Sequence, residues 1–270
     1  MARIVFWSPE RGMTGSTHTA VAVSTLMGIT HKTTCLLMQT NFGSKKVESS
    51  FTPYDDLKAS GAFENSNIGV NALIRLVTSN KLDASAIQNY AKPVLKGRLD
   101  ILYGVNSRDK EGYLQLVNNL PYITRKADEV YELVFVDIPK TTGAEYLRNT
   151  LADSEIVVCV VNQDSVKLSE FFSRINTIPE LKDKQKIIVI GDYDSKSKYN
   201  VKNIKLRYKV TDPIFTLPHN YIFRDACNDG EVVDFFYRNI NADPKDYNGE
   251  FIAQASQIVE QIASIAKLRE

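Results

Sequence analysis

Short, continuous apolar runs alternate with longer amphipathic stretches along the whole chain. Each run holds four to six residues and is rich in β-branched side chains, a pattern typical of parallel strands that are covered on both faces. Strands are therefore predicted at Arg3–Trp7, Cys35–Gln39, Leu99–Tyr103, Leu133–Asp137, Ile156–Val161, Lys186–Gly191 and Ile214–Leu217.

The stretches between these runs have apolar residues at the three- and four-residue spacing of a helix. The alternation predicts a doubly wound, mainly parallel sheet of about seven strands with helices on both faces, in a single domain over residues 1–270. Residues 42–67 lack this spacing and are predicted to form a long loop. Helices are predicted at Thr17–Gly28, Val70–Ser79, Ala84–Tyr90, Tyr113–Lys126, Gly143–Leu151, Ser165–Asn176, Val201–Arg207, Phe223–Tyr237 and, at the C-terminus, Gly249–Leu268.

Composition narrows the class of protein. The net charge of +1 over 270 residues means that any contact with nucleic acid needs a local basic patch. Nine Lys and Arg residues in 181–209 form the candidate patch, and a solvated surface is the alternative.

Three widely spaced cysteines fit neither a disulfide framework nor a zinc site. No integral membrane segment is expected, because no apolar stretch approaches the roughly 20 residues that span a bilayer. The apolar run near the start is too short for a signal peptide, so we expect a cytoplasmic protein.

The segment FWSPERGMTGSTHTA, residues 6–20, lies between the first predicted strand and the first predicted helix. A Gly- and Thr-rich turn in this position is where many α/β proteins hold a phosphate. The usual phosphate loop is G-x-x-x-x-G-K-[ST], and this segment contains no lysine. It is therefore either an altered phosphate loop or only a turn.

Residues 10–20 resemble, without a gap, the loop x-K-G-G-x-G-K-[ST]-T-x-A of the MinD/ParA group, the deviant Walker A branch of P-loop ATPases. Arg11 stands at the signature lysine of that group, which reaches the nucleotide of the dimer partner. Met13 replaces a glycine, and Ser16 replaces the phosphate-loop lysine. The matching positions are Gly12, Gly15, Thr17 and Ala20.

Three later segments extend the resemblance over nearly the whole chain. Residues 134–139 read VFVDIP, with Gly143 following, and resemble the Walker B and second switch segment "vviDtPpg". Residues 215–219 resemble the segment ending in "iP" beside the adenine, and residues 223–230 resemble the helix "f-x-x-A-x-x-x-G" that follows it. The resemblance implies the MinD/ParA fold, ATP as the nucleotide and Mg²⁺ as its metal.

The resemblance also implies roles for particular residues. Thr17 would ligate Mg²⁺ through its hydroxyl, and Asp137 would hold the ion through water. Gln39, Asn41 and Asp137 occupy catalytic or switch positions of the group. The nucleotide-contacting positions are Arg11, Gly12, Met13, Thr14, Gly15, Ser16, Thr17, His18, Asp192, Pro218 and His219.

The departures from the group argue against fast hydrolysis. Gln39 and Asn41 stand where the group has carboxylates, and an amide cannot take a proton. The missing lysine removes a charge-assisted contact worth about 2–4 kcal/mol of transition-state stabilisation. Arg11 can restore part of it, because a guanidinium binds phosphate bidentately. Slow or no ATP hydrolysis is expected. Gly191 stands where the group has an Asn that contacts the base, and Asp192 is beside it.

Within the group, degenerate loops of this kind resemble those of TadZ/CpaE-type localisation proteins. The resemblance implies a homodimeric, nucleotide-binding scaffold that positions a secretion, pilus or conjugation machine and is recruited to a pole or to the inner membrane face by its partners. The alternatives are a slow ATPase and a ParA-type DNA-partitioning ATPase. In the DNA-partitioning alternative, DNA binding would weaken steeply with salt. The contacts would be Lys196, Lys198, Lys202, Lys205, Arg207 and Lys209.

Overall fold

The computed structural model describes residues 1–9, 14–40, 46–61, 68–104, 110–138, 144–182 and 184–268, with backbone only at 112 and 144–147. Eight strands form one sheet in the order β3-β4-β2-β5-β1-β6-β7-β8. All neighbours are parallel except β3 and β4. The strands are β1 Ala2–Trp7, β2 Cys35–Gln39, β3 Lys92–Leu95, β4 Leu99–Leu102, β5 Leu133–Ile138, β6 Ile156–Val161, β7 Gln185–Tyr193 and β8 Ile214–Pro218.

Helices cover both faces of the sheet. Short 3₁₀ turns at Ile175–Thr177 and Pro179–Leu181 follow the eighth helix. The helices are α1 Ser16–Thr30, α2 Lys46–Ser49, α3 Tyr54–Ala59, α4 Gly69–Thr78, α5 Ala84–Tyr90, α6 Lys110–Ala127, α7 Ala144–Ala152, α8 Ser165–Arg174, α9 Val201–Tyr208, α10 Tyr221–Asp229, α11 Val232–Asn239 and α12 Tyr247–Ala266.

Two apolar cores lie on opposite sides of the sheet. Alternate residues of β1 divide between them: Ile4 and Phe6 face the core under α1 and α10–α12, whereas Val5 and Trp7 face the core under α4–α9. Every residue of the central strands β5 and β6 is buried. Because both faces of these strands are buried, their sequences are continuous apolar runs.

The seven predicted strands are present, each within two residues of its predicted ends. The eighth, β3, was not predicted. It is an antiparallel outer strand with exposed Lys92 and Pro93, so it carries no apolar run. The other outer strand, β8, also contains a proline, Pro218, as its last residue. Proline is tolerated at the edge of a sheet because it has no N–H to contribute to the ladder.

Two predicted elements were wrong. The single helix expected at 223–237 is interrupted by Gly230, which ends α10 with φ 78°. A Cβ there would lie 2.5 Å from Pro53 N, so only glycine fits, and its left-handed conformation ends the helix. The long loop expected at 42–67 contains α2 and α3 among its described residues. In the described part of the chain, no helix is both long and apolar enough for a membrane span.

Candidate functional site

The candidate site lies at the carboxyl ends of the central strands, where α1 begins. Gly15 has φ 75°, a left-handed conformation that glycine adopts without strain, and α1 starts at the next residue. Its carbonyl accepts hydrogen bonds from the backbone N–H and the hydroxyl of Thr19. Since α1 points its first N–H groups and the positive end of its dipole at this edge of the sheet, an anion is favoured there.

Asp137 lies at the centre of this edge. Its strand β5 sits between β1 and β2, and Asp137 is in register with Phe6 on one side and Gln39 on the other. The hydroxyl of Thr17 donates to Asp137 Oδ2 at 2.6 Å, and that of Ser16 donates to Oδ1 at 3.2 Å. The two hydroxyls therefore hold the carboxylate against the first turn of α1.

Burial dominates the electrostatics of Asp137. The side chain is 3% exposed, and burial raises the pKa of its carboxyl to about 6, while the hydroxyl hydrogen bonds and the charge of Lys46 partly oppose the rise. A carboxylate that is costly to ionise becomes favourable once a cation binds it. A hydroxyl and a carboxylate are oxygen ligands of the kind that Mg²⁺ prefers, so these residues fit a magnesium ion.

The turn that precedes α1 packs directly on the end of β7. A Cβ on Gly191 would lie 2.1 Å from the carbonyl oxygen of Thr14. No larger residue fits at 191 unless the turn moves, so an asparagine in this position would displace the turn. The contact fixes the turn relative to Asp192, which follows with φ 55°.

A shallow cleft opens between this turn and the β8–α10 connection. Asp192 lies at its edge, with His219 Nδ1 2.6 Å and Arg224 Nη2 2.9 Å from its Oδ1. The cleft combines aromatic, apolar and charged groups, as small-molecule sites do. It is lined by Gly15, His18, Asp192, Leu217, Pro218, Asn220, Phe223, Arg224 and Phe251.

His18 is a neutral wall of this cleft. Burial, followed by the positive charges of Arg224 and Lys46, lowers the pKa of its imidazole to about 4. The ring lies edge-on to Phe223, with 6.3 Å between centroids. His18 is therefore uncharged at neutral pH and offers a bound molecule an aromatic surface rather than a charge.

Gln39, the first of the amides at a switch position, is engaged elsewhere. Its Nε2 donates to Oε2 of Glu48 on α2, and Oε1 of Glu48 accepts the backbone N–H of Gly104 at 2.8 Å. Glu48 is 1% exposed. A buried carboxylate thus ties α2 to the end of β2. Sequence reasoning missed Glu48, because the segment around it has no helical or strand periodicity.

The structure brings most of the predicted residues together. Ser16 and Thr17 meet Asp137 on one side. On the other side, Gly15, His18, Asp192 and Pro218 line the cleft, and His219 is bound to Asp192. Lys46 and Arg224, which sequence reasoning did not assign to the site, act on it electrostatically. Arg11, Gly12, Met13, Asn41, Pro139 and Gly143 lie outside the described residues.

Neither a family model nor a curated protein matches this sequence. Solved structures do match over nearly their full length. A ParA family ATPase from Chlorobium tepidum superposes with a TM-score of 0.72 at 12% identity, covering 97% of this chain and 98% of the other. The septum site-determining protein MinD from Pyrococcus horikoshii, solved with Mg-ADP, gives 0.69 at 14% identity, with 98% and 99% covered. MinD of the MinC:MinD complex from Aquifex aeolicus gives 0.66 at 13%, with 96% of each covered.

The chain has the MinD/ParA fold. This confirms the fold that the resemblance predicted, with one more strand, β3, than the seven expected. In the MinD/ParA fold of this chain, the turn before α1, the end of β5 and the β8–α10 connection surround one site. At these identities the likeness concerns the fold, and the roles of the site residues remain predictions.

Proposed function

We propose that this chain binds ATP with Mg²⁺ at the carboxyl edge of its sheet. The observation that carries the proposal is the meeting of the Ser16 and Thr17 hydroxyls with the buried carboxyl of Asp137 at the start of α1. Backbone N–H groups of this turn would hold the phosphates. Thr17 and Asp137 would hold the ion, the latter through water, and the cleft beside His18 would take the base.

The same geometry supports slow or absent hydrolysis. Ser16 uses its hydroxyl on Asp137 and brings no charge to the phosphates. Gln39 cannot accept a proton, and its amide is bound to Glu48. Phosphoryl transfer depends on positioning and on charge neutralisation, so a site with fewer charges favours binding over turnover. The protein is therefore proposed to act as a nucleotide-responsive scaffold.

We propose further that the scaffold is a homodimer that localises a component of a secretion, pilus or conjugation machine. Support comes from the MinD/ParA fold together with the degenerate loop at residues 10–20. In the Aquifex complex, MinD is found with MinC, so this fold does accommodate a protein partner. Recruitment to a pole or to the inner membrane face would follow from such a partner. A fluorescent fusion that stays uniformly distributed in its host would contradict localisation.

Calorimetry with Mg-ATP, paired with light scattering, tests the binding proposal. Wild-type protein should bind saturably, and chelation of Mg²⁺ should weaken binding. Thr17→Ala should weaken it at least tenfold, because it removes an ion ligand, while Thr177→Ala, at an exposed site far from the turn, should not. A shift from monomer to dimer with nucleotide would support the switch. Absence of binding at millimolar ATP would refute the nucleotide proposal.

A charge added back to the turn tests the hydrolysis proposal. Ser16→Lys restores the phosphate-loop lysine of the resemblance. If only that charge is missing, the variant should hydrolyse ATP measurably faster than wild type. If hydrolysis stays absent while binding tightens, Gln39 and its neighbourhood limit the chemistry.

A second candidate function is non-specific DNA binding. The favouring observation is that Lys202 and Arg207 of α9 are exposed together with Lys209 at its end. Lys184 and Lys186 contribute less, because both ammonium groups are bound to backbone carbonyls. A triple alanine variant of the three exposed residues should abolish a salt-sensitive shift of duplex DNA. Equal shifts by wild type and variant would remove this candidate.

A further inference from the structure

Asp192 is the extra residue of a β-bulge at the end of β7. The strands β7 and β8 pair in regular register as far as Gly191 and Leu217, but the next pair joins Tyr193 to Pro218. Asp192, between them, has φ 55°, a left-handed conformation that Asp adopts more readily than most residues do. A bulge of this kind redirects a side chain at the end of a strand. Asp192 accordingly leaves the regular ladder and lines the cleft.

Two side chains hold one oxygen of the Asp192 carboxylate. His219 Nδ1 lies 2.6 Å and Arg224 Nη2 lies 2.9 Å from Oδ1. An ionised carboxylate can only accept, so the imidazole donates from Nδ1. Because both contacts fall on Oδ1, the other oxygen, Oδ2, keeps its acceptor capacity for a molecule in the cleft. The guanidinium also offsets the negative charge, which would otherwise repel phosphates at the neighbouring turn.

The surroundings of Asp192 combine a phosphate side with an apolar side. A Cβ on Gly15 would lie 3.7 Å from Asp192 N, so Asp192 is next to the turn before α1. The same cleft is lined by Leu217, Pro218 and Phe223, whose side chains offer apolar contact to a flat ring but no hydrogen bond. Apolar walls bind different bases about equally well. A carboxylate oxygen beside them can distinguish one base from another.

We propose that Asp192 selects the base of the bound nucleotide by accepting a hydrogen bond from the 6-amino group of adenine. This inference rests on the proposed binding of ATP. Adenine carries a donor at this position, whereas hypoxanthine carries a carbonyl oxygen, whose lone pairs would oppose the carboxylate. Since Oδ1 is already engaged, the carboxylate has one oxygen to offer. It therefore cannot form the paired contacts to two N–H groups that would favour guanine.

Calorimetry with Mg-ATP and with Mg-ITP, whose base is hypoxanthine, tests this inference. Wild type should bind Mg-ATP at least tenfold more tightly than Mg-ITP, the size expected of one hydrogen bond to a charged group. In Asp192→Asn the amide can donate to the 6-oxo group, so the ratio should fall below about threefold, mainly because Mg-ITP binds more tightly. Asp225→Asn, which removes an exposed carboxylate from α10, is the matched control and should keep the wild-type ratio.

A second variant removes the acceptor without adding a donor. Asp192→Gly should lower Mg-ATP affinity about tenfold and leave Mg-ITP affinity within about threefold of wild type. Asn and Gly both tolerate the left-handed backbone at this position, so urea midpoints without nucleotide should confirm that both variants fold. A loss that is equal for the two nucleotides in both variants would mean that Asp192 only shapes the cleft, and it would overturn the inference.

The sugar is the rival source of a donor to Asp192. Wild type should bind Mg-2′-deoxy-ATP within about twofold of Mg-ATP, because the carboxylate is proposed to contact the base. A tenfold loss with the deoxynucleotide, together with equal binding of Mg-ATP and Mg-ITP, would show that the ribose is read instead.

The outcomes distinguish this inference from the function on which it rests. If wild type binds Mg-ATP and Mg-ITP equally well, or if Asp192→Asn keeps the wild-type ratio, the inference fails and the proposed function stands. If wild type binds neither nucleotide, the proposed function itself fails.

Discussion

Replacing Asp137 by Asn should stabilise the protein without nucleotide while abolishing its binding of Mg-ATP. The carboxyl of Asp137 is buried, and burial raises its pKa from 3.8 to about 6. At neutral pH the folded protein therefore holds a charge that water would solvate better. Asn has nearly the same shape, and its amide can still accept from Thr17 and donate to Ser16. What it loses is the charge that a magnesium ion requires.

The difference between the two pKa values sets the size of the effect. It corresponds to about 3 kcal/mol, which is an upper limit because the Asn side chain must also be buried. The direction of the pH dependence of stability follows from proton binding by Asp137. The folded protein holds this proton more tightly than the unfolded chain does, so the group favours folding at low pH, and the contribution is lost as pH rises through about 6. At pH 7.5, Asp137→Asn should be about 1–3 kcal/mol more stable than wild type, and by pH 5 the gap should narrow by about 1.4 kcal/mol.

Urea unfolding at pH 7.5 and pH 5, without nucleotide and with metal chelated, measures both values. Asp212→Asn, at an exposed position, is the matched control and should leave stability within about 0.5 kcal/mol at either pH. Mg-ATP should raise the unfolding midpoint of wild type but not of Asp137→Asn. If the variant is less stable than wild type at pH 7.5, or if the gap is the same at both pH values, the reasoning from burial is refuted.

Three further changes test other parts of the site. Gly191→Ala would place a Cβ 2.1 Å from the Thr14 carbonyl oxygen. It should therefore cost more than 2 kcal/mol of stability or at least tenfold in Mg-ATP affinity. At Gly97, the control position, a Cβ meets nothing, so Gly97→Ala should cost only about 1 kcal/mol in urea unfolding and leave Mg-ATP affinity unchanged. Burial lowers the pKa of His18 to about 4, so its contribution is present above pH 6.5 and lost on acidification. Between pH 7.5 and pH 5, wild type should lose about 2 kcal/mol relative to His18→Gln, and parallel stability curves would contradict this. Glu48→Ala leaves the Gly104 N–H and Gln39 without their acceptor and should cost about 2–4 kcal/mol, whereas a loss under 1 kcal/mol would mean that α2 is not held by this carboxylate.

The sequence was informative where burial on both faces left a strong pattern. The runs at β5 and β6 are apolar without interruption, and these strands were predicted almost to the residue. The resemblance implied that Thr17 and Asp137 lie beside one magnesium ion, and their hydrogen bond agrees with that expectation. Asp192 and Pro218 were likewise assigned to the site through the resemblance, and both line the cleft.

The remaining features depend on contacts between distant segments. Strand β3 has only a few paired residues and an exposed Lys92, so nothing in its composition separates it from a loop. The burial of Glu48 requires Gln39 and Gly104, which no local pattern brings together. Gly230 ends α10 against Pro53, a neighbour far away in sequence. Each of these is decided by tertiary packing rather than by propensity.

Both outer strands of the sheet contain a proline, Pro93 in β3 and Pro218 in β8. Because proline offers no N–H, an incoming strand finds an incomplete row of donors along either margin. The sheet is therefore a poor template for growth by strand addition, whether into fibrils or into a continuous sheet shared by two copies. An interface between copies would therefore be built from helices and loops, such as those around the carboxyl edge of the sheet, where the proposed nucleotide site lies.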